Sequence, residues 1–509
     1  MTTARTWAIA LTGLDGALVE VEADLSNQQP EFRIIGLADK ALGEAVQRVH
    51  NASANCGLAL PRRRLTVNLS PASLPKHGSS FDVAIAIAAL ATEGSMDAVS
   101  IAETVHIGEL GLDGRLRPVP GVLPAVMAAA REGKRRVIVP LANEAEASLV
   151  EGIEVIGAVS LGDVARRHGA DVEERPLDPV PAPSVQTADN GVAELGEVIG
   201  QRDAVDALIA AAAGGHHMLM SGPPGAGKTM LASRLPGILP ELDDAEALEV
   251  ASIRSLCGQA VGTLVRRPPF EAPHHSASIA ALVGGGSRVL RPGAIARATH
   301  GVLFLDEVGE FNPSVLDALR QPLEKGEITI HRAGVTASFP ASFQLILATN
   351  PCPCGNYGVR GGSCVCPPIA IRRYLGRLSG PLLDRVDIEL GLSRVSVAHA
   401  ADLAAGIVTT ADAAARVAEA RDRAAHRLRA TPWRLNARVS GPWLRDGPLA
   451  LAPVVRRPLD AALHRGSLTL RGYDRVLRVA WTLSDLAARA SPTVSDIGRA
   501  LFMKKGITT

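Results

Sequence analysis

Aromatic residues make up only 3% of the 509 positions, so any core must rest on Ala, Val, Leu and Ile. Lysine is scarce as well: arginine carries nearly all the positive charge, and the formal net charge is +1. Overall charge therefore marks no acidic partner, and affinity for one must come from local clusters. No apolar run approaches the roughly 20 residues that a membrane helix needs. The apolar patch in "MTTARTWAIALTG" is too short for a signal peptide and no cleavage pattern follows it. A cytoplasmic protein without a membrane partner is expected. Six cysteines are too few for a disulfide scaffold in a chain this long.

A hydrophobic fraction of 47% with 21% charged residues is that of a globular protein. The length predicts two to four domains. Residues 1–170 alternate strand patterns ("RLTVNLSP", "RRVIVP") with helical ones ("KALGEAVQRVHNASANC", "PGVLPAVMAAAREG"). The stretch "DVEERPLDPVPAPSVQTADNG" is rich in Pro and acid and lacks periodicity, so 171–196 reads as a linker. A second α/β pattern fills 197–395, and 396–509 is mostly helical. In "YDRVLRVAWTLSDLAARA" apolar residues recur at helical spacing, with arginines on the opposite face.

The strongest local signal is "HMLMSGPPGAGKTMLASRL". Gly222, Pro223, Pro224, Gly225, Ala226, Gly227, Lys228 and Thr229 satisfy the phosphate-loop pattern G-x-x-x-x-G-K-[ST], between a short apolar strand and a helix. Glycines let backbone N–H groups turn toward the phosphates, and the following helix directs its positive end at them. Lys228 would reach the β- and γ-phosphates of ATP, and Thr229 would hold Mg²⁺. Lys228 and Lys325 are the sole lysines between 135 and 503, so the motif lysine is no member of a Lys-rich stretch. In "HGVLFLDEVGEF" the strand Val302–Leu305 ends in Asp306, expected beside Mg²⁺, and Glu307, expected to polarise the attacking water. A third strand, "FQLILATN", ends in Asn350, either a water-positioning residue or a turn Asn capping the strand. "RLSGPLLDRVDIEL" places Arg385 before a further strand, either as a cation for a neighbouring subunit's γ-phosphate or as half of a surface pair with Asp384.

Together with "VIGQRDAVDALIAAAAGGHH", "APHHSASIAALVGGGS" and "ATNPCPCG", these residues resemble the ComM/YifB family of magnesium-chelatase-like AAA+ ATPases, over nearly the whole chain. The resemblance implies an α/β AAA+ P-loop core with a C-terminal helical lid, preceded by an α+β Lon-protease-like domain. It also implies hexameric rings and, for ComM members, ATP-driven branch migration of DNA in natural transformation. By the same resemblance Asn350 is the sensor-1 residue, Arg385 the arginine finger and Arg471 the sensor-2 arginine of the lid, with Arg475 as the alternative holder of that role.

The Lon-like portion raises the question of proteolysis. "PKHGSSFDV" puts Ser80 in the place of Lon's nucleophile, whereas "PGVL" puts Leu123 in the place of its activating lysine. A serine hydroxyl without a base is a poor nucleophile at neutral pH. Ser80 is therefore expected to be structural and this portion proteolytically inactive.

Three further clusters stand out. "NPCPCGNYGVRGGSCVCPP" holds Cys352, Cys354, Cys364 and Cys366, expected either to bind a structural zinc or to remain packed reduced thiols. Arg62, Arg63 and Arg64 form either a solvated edge or a contact for DNA phosphates. The loop "VGGGSRVLRPG" and a hairpin expected over 326–339 either are a pair of surface loops or project into a ring's pore, where Arg288, Arg291 and Arg332 could meet a DNA backbone. His274 and His275 are expected to serve packing or hydrogen bonding, and Cys56 and Cys257 to be isolated core residues. Three functions compete: a DNA-remodelling motor, the ATPase subunit of a metal-chelatase complex, and an ATP-dependent protease.

Overall fold

The computed structural model describes residues 3–36, 40–182, 193–286, 290–332, 335–359, 362–394 and 407–505. The first unit is built on a seven-stranded mixed sheet. Its order is Glu31–Ile35, Arg64–Ser70, Asp15–Ser26, Thr3–Thr12, Thr104–His106, Arg136–Pro140, Glu154–Ala158. The two long strands form an antiparallel hairpin in which Thr12 faces Asp15. Gly13 at its turn has φ 69°, a conformation that glycine adopts without a Cβ clash. Alternation along Asp15–Ser26 sends Val19, Val21, Ala23 and Leu25 to the core. The helix Asp82–Ala91, apolar almost throughout, is buried along nearly its whole length.

The second unit is a five-stranded parallel sheet with the order Phe270–Glu271, Val302–Leu305, Gln344–Thr349, Met218–Ser221, Ile388–Gly391. Its central strands are continuous apolar runs, as a parallel sheet covered on both faces requires. The strand ending at Thr349 lies between the one that feeds the Gly-rich loop and the one that ends before Asp306.

C-terminal helices Thr410–Leu428, Pro453–His464, Leu470–Leu486 and Val494–Lys505 share one core with this sheet. The structure adds partners that the spacing did not indicate for Arg475 and Arg478, on the face of the helix Leu470–Leu486 opposite its apolar residues. Arg475 Nη1 lies 2.8 Å from Oδ1 of the wholly buried Asp387, and Arg478 Nε donates to the Val439 carbonyl. Burial pushes the Asp387 carboxyl up, but the Arg475 charge and a hydrogen bond from His216 outweigh it and hold the group well below the usual carboxylate range. A buried carboxylate needs such partners, which is why the arginines turn inward.

The linker expected over 171–196 has no regular structure over 171–182 and ends in a 3-10 turn, Leu195–Glu197; 183–192, and the expected boundary near 395, lie outside the described residues. Among the described residues no helix is long and apolar enough to cross a membrane.

The two sheet units meet at the helices Val122–Arg131 and Asp244–Leu256. Leu123 is fully buried there against Ala251 and Val261, with Met127, Leu149 and Leu248 packed around them. Gly121 N donates to Ser255 O at 3.0 Å, and Leu123 N donates to Ser255 Oγ at 3.3 Å. Leu123, read from the sequence as standing in the place of Lon's lysine, is thus an apolar contact between units.

Candidate active site

The Gly-rich loop leaves the strand Met218–Ser221 and enters the helix Lys228–Ile238. Gly225 and Gly227 have φ 78° and 83°, and Gly227 caps the helix in the left-handed conformation. A Cβ at Gly222 would sit 2.5 Å from Leu392 O, so the loop's first glycine is fixed by the approach of the neighbouring chain. Gln201 Nε2 donates to Ala226 O at 2.8 Å and Arg394 Nε to Pro224 O at 3.2 Å, pinning the loop from outside. Lys228 Nζ reaches back to Gly222 O (2.6 Å) and Pro223 O (3.1 Å), and also to Asn350 Oδ1 (3.0 Å). Burial lowers its pKa, against the raising influence of Asp306 and Glu307.

Because the strands are parallel, their C-terminal ends converge on this loop. Thr229 Oγ1 donates to Asp306 Oδ2 at 2.7 Å, and Asp306 Oδ1 accepts from Glu307 N at 2.8 Å. A hydroxyl and a carboxylate oxygen in contact beside the phosphate loop suit a hard divalent cation such as Mg²⁺. Glu307 adopts φ 50°, ψ 45°, and its carboxylate is half exposed. Its Oε2 lies 3.4 Å from His275 Nδ1. From the sequence His275 is expected to serve packing or hydrogen bonding, with no partner named. Its place beside Glu307 is a tertiary contact across 32 positions, and the strand Phe270–Glu271 next to Val302–Leu305 was the signal that could have indicated it.

Arg385 and Arg471 do not join this group. Arg385 precedes the strand Ile388–Gly391, and Asp387 N donates to His217 O at the start of the adjacent parallel strand. That is the sheet end opposite the loop, about 13 Å away along a four-residue strand. Arg385, Arg471, Arg475, Arg438 and Arg478 surround a cavity of about 320 Å³ there, with His217 in its wall. Burial lowers the Arg385 pKa, with Arg471, Arg475 and Arg320 adding to the effect. The simple Asp384–Arg385 pair is not formed: Asp384 bonds Arg471 at 3.3 Å, and Arg385 bonds Glu324.

The four clustered cysteines come together. Sγ distances are 3.4 Å for Cys352–Cys354 and 3.7 Å for both Cys352–Cys364 and Cys354–Cys364, and all four sulfurs lie within 4.8 Å of one another. Backbone N–H groups of Asn356 and Val365 lower the Cys354 thiol to about 6.

Other sequence expectations fare variously. Arg63 pairs with Glu93 and Asn27, and Arg64 with Glu31 and Gln28, so this cluster is largely answered by its own acids and amides. The expected hairpin exists as Glu327–Arg332 paired with Val335–Pro340. A short ribbon, Gly284–Gly285 with Arg291–Pro292, lies against it, since a Cβ at Gly284 would sit 2.8 Å from Ile330 Cδ1. Arg291 is exposed on that ribbon. Arg288 and the Arg332 side chain lie outside the described residues. Cys56 is buried and Cys257 partly so. Ser80 O accepts from Gly108 N at 3.0 Å, Ser79 Oγ contacts Glu109, and the buried Asp82 binds Arg48.

A phosphate loop, an Asp–Glu strand end and a polar strand end on one edge of a five-stranded parallel sheet, backed by a helical lid, define a magnesium-chelatase-like AAA+ ATPase. Family comparisons agree over most of the chain. Magnesium chelatase, subunit ChlI, matches residues 194–400, its C-terminal part 408–504, and subunit ChlI of Mg-chelatase 21–143. An uncharacterised protein of Mycobacterium tuberculosis is 48% identical over 509 residues, covering 99% of both chains. Competence protein ComM of Haemophilus influenzae is 42% identical over 490 residues, 96% of this chain and 94% of that one. YifB of Escherichia coli, itself uncharacterised, is 40% identical over 479 residues, 94% and 92% of the two chains. The chain belongs to the ComM/YifB family of magnesium-chelatase-like AAA+ ATPases, and its first unit carries the Lon-like similarity.

Proposed function

We propose that the protein is a ring-forming ATPase that moves DNA, acting in branch migration or unwinding during recombination of incoming DNA. Its kinship with a competence protein supports the biological setting. One observation carries the motor reading: Lys228, Asp306, Glu307 and Asn350 lie at one end of the sheet, and Arg385 and Arg471 at the other. Neither arginine can serve the phosphate loop of its own chain, yet both suit the loop of an adjacent copy. A closed ring, a hexamer by family resemblance, satisfies every such site.

In this reading the loop amides and Lys228 bind the ATP phosphates, and Thr229 and Asp306 hold Mg²⁺, which neutralises phosphate charge when bound. Glu307 accepts the proton of the attacking water, Asn350 orients that water, and Arg385 and Arg471 of the neighbour meet charge on the γ-phosphate. The hairpin 327–340 and the ribbon bearing Arg291 are the contacts for DNA. The cysteine cluster holds a structural zinc. The first unit has no protease activity, since Leu123 is committed to the contact between units.

The test is the ATPase rate with and without a branched DNA, alongside oligomeric state. Stimulation of a ring by DNA is expected. A DNA-indifferent ATPase would favour the ATPase subunit of a metal-chelatase complex instead, and casein cleavage lost in Ser80→Ala would favour the protease.

A further inference from the structure

The described residues of the loop between the strand ending at Thr349 and the helix Pro368–Leu375 have no regular structure and almost no core of their own. Cys352 and Gly355 are buried, whereas Tyr357 and Val365 are 53% and 81% exposed. Such a segment cannot pay for its ordering by burying apolar surface. What it has is four converging sulfurs. Zinc–sulfur bonds of about 2.3 Å imply a tetrahedron with edges of about 3.8 Å. The separations of 3.4, 3.7 and 3.7 Å approach that figure before any ion is added. Tyr357 N also donates to Cys352 Sγ at 3.3 Å, the kind of N–H···S contact that stabilises a bound thiolate.

The loop's position gives this cluster a consequence. Cys352 stands two residues after Asn350, whose side chain bonds Lys228. The turn Cys352–Gly355 closes by Gly355 N to Cys352 O at 2.9 Å, and Gly355 has φ 78°. A Cβ at Gly355 would lie 2.4 Å from Cδ and 2.8 Å from Cγ of Pro224, inside the phosphate loop. The cysteine turn is thus a wall of the nucleotide cradle, touching it at Pro224 and leading into it at Asn350.

We infer that a zinc ion held by Cys352, Cys354, Cys364 and Cys366 braces the phosphate loop through the Gly355–Pro224 contact, so that metal and nucleotide bind with positive coupling. This rests on residues 222–229 being the nucleotide site. Without the ion the loop loses its cross-link, Pro224 loses its wall, and the Asn350–Lys228 pair loosens. A coupling of the usual size would be about tenfold and must be reciprocal.

The experiment measures metal and nucleotide separately on the full-length protein. Zinc content is read by elemental analysis, zinc affinity by competition with a colorimetric chelator, and nucleotide affinity by fluorescence of a labelled ADP. One zinc per chain is expected. Its removal, or the double substitution Cys364→Ser with Cys366→Ser at partly exposed ligands, should weaken labelled ADP about tenfold with circular dichroism retained. Saturating Mg²⁺–ADP should tighten zinc by the same factor. Gly355→Ala separates brace from metal: zinc stays, and nucleotide binding weakens. Cobalt substitution supplies a second reading if the serine variant is unstable, since four thiolates give intense tetrahedral bands. No zinc and no cobalt bands would overturn the metal site. Zinc present, but the same ADP affinity with and without it, would overturn the brace. Zinc bound by a wild-type protein that binds no nucleotide would remove the brace and the ATPase reading together, while upholding the metal site.

Discussion

Two buried lysines show how the two sheet units of this chain diverge. Lys76 in the first unit and Lys228 in the second are both almost inaccessible, and each gives hydrogen bonds to two backbone carbonyls, Gly36 and Pro71 in one case, Gly222 and Pro223 in the other. Burial lowers the pKa of both. Lys228 has in addition a side-chain acceptor, Asn350, and two nearby carboxylates, Asp306 and Glu307. Among the described residues Lys76 has carbonyls alone, and it ties one loop to another. Identical chemistry at the lysine therefore yields a site in one unit and a staple in the other. What differs is the set of groups that the surrounding strands bring to the same edge.

The largest effect should come from breaking the second unit's site. Lys228→Ala and Glu307→Gln should each lower ATP hydrolysis at least about a hundredfold, the loss typical of removing one group that acts on the transition state. Labelled-nucleotide binding should fall in the first and persist in the second. Hydrolysis surviving in both would erase the distinction between the two lysines.

Restoring the missing lysine sharpens the comparison from the other side. Leu123→Lys should yield no peptidase activity, because position 123 packs against Ala251 and Val261. It should instead cost about 3 kcal/mol, as an unpaired buried cation does, and lower the melting temperature. Peptide cleavage by this variant would show that the Lon-like unit retains a working site.

Acid should weaken both units, through different groups. In the first, His106 and His168 share an Nε2···Nε2 contact of 2.9 Å, and burial lowers His168 to about 4 and His106 well below its ordinary value. In the second, burial lowers His217 to about 3. A histidine depressed in the folded state gains its proton first in the unfolded chain. Its contribution to stability is therefore complete above about pH 6.5 and is lost as pH falls toward the folded value, up to about 3 kcal/mol for His168. Melting temperature should fall steadily from pH 7 to pH 5, and a flat profile would contradict these buried neutral rings. The smallest expected effect is that of Ser80→Ala, which should leave ATPase rate and stability unchanged within error.

Much of the second unit's site was legible because its groups are contiguous in the chain. Eight residues make the loop, two make the acid pair, and Asn350 closes a single apolar run. Local spacing carried no such information about the partners that tertiary structure supplies. His275 meets Glu307 only because the strand Phe270–Glu271 lies beside Val302–Leu305. Arg475 turns inward only because Asp387 is buried opposite it. The arginines of 62–64 looked alike in sequence, yet two of the three are answered by side chains brought up from other strands and loops. Leu123 could be read as a lost lysine; its use as a contact between units depended on a helix 120 residues further on.

A mixing experiment tests the shared site most directly. Arg385→Ala and Lys228→Ala, each inactive alone, are combined under conditions where rings exchange subunits. The account predicts that hydrolysis returns in the mixture, because an Arg385→Ala chain offers an intact phosphate loop to the Arg385 of a Lys228→Ala neighbour. A mixture no more active than its separate components, with mixed rings demonstrated, would contradict it.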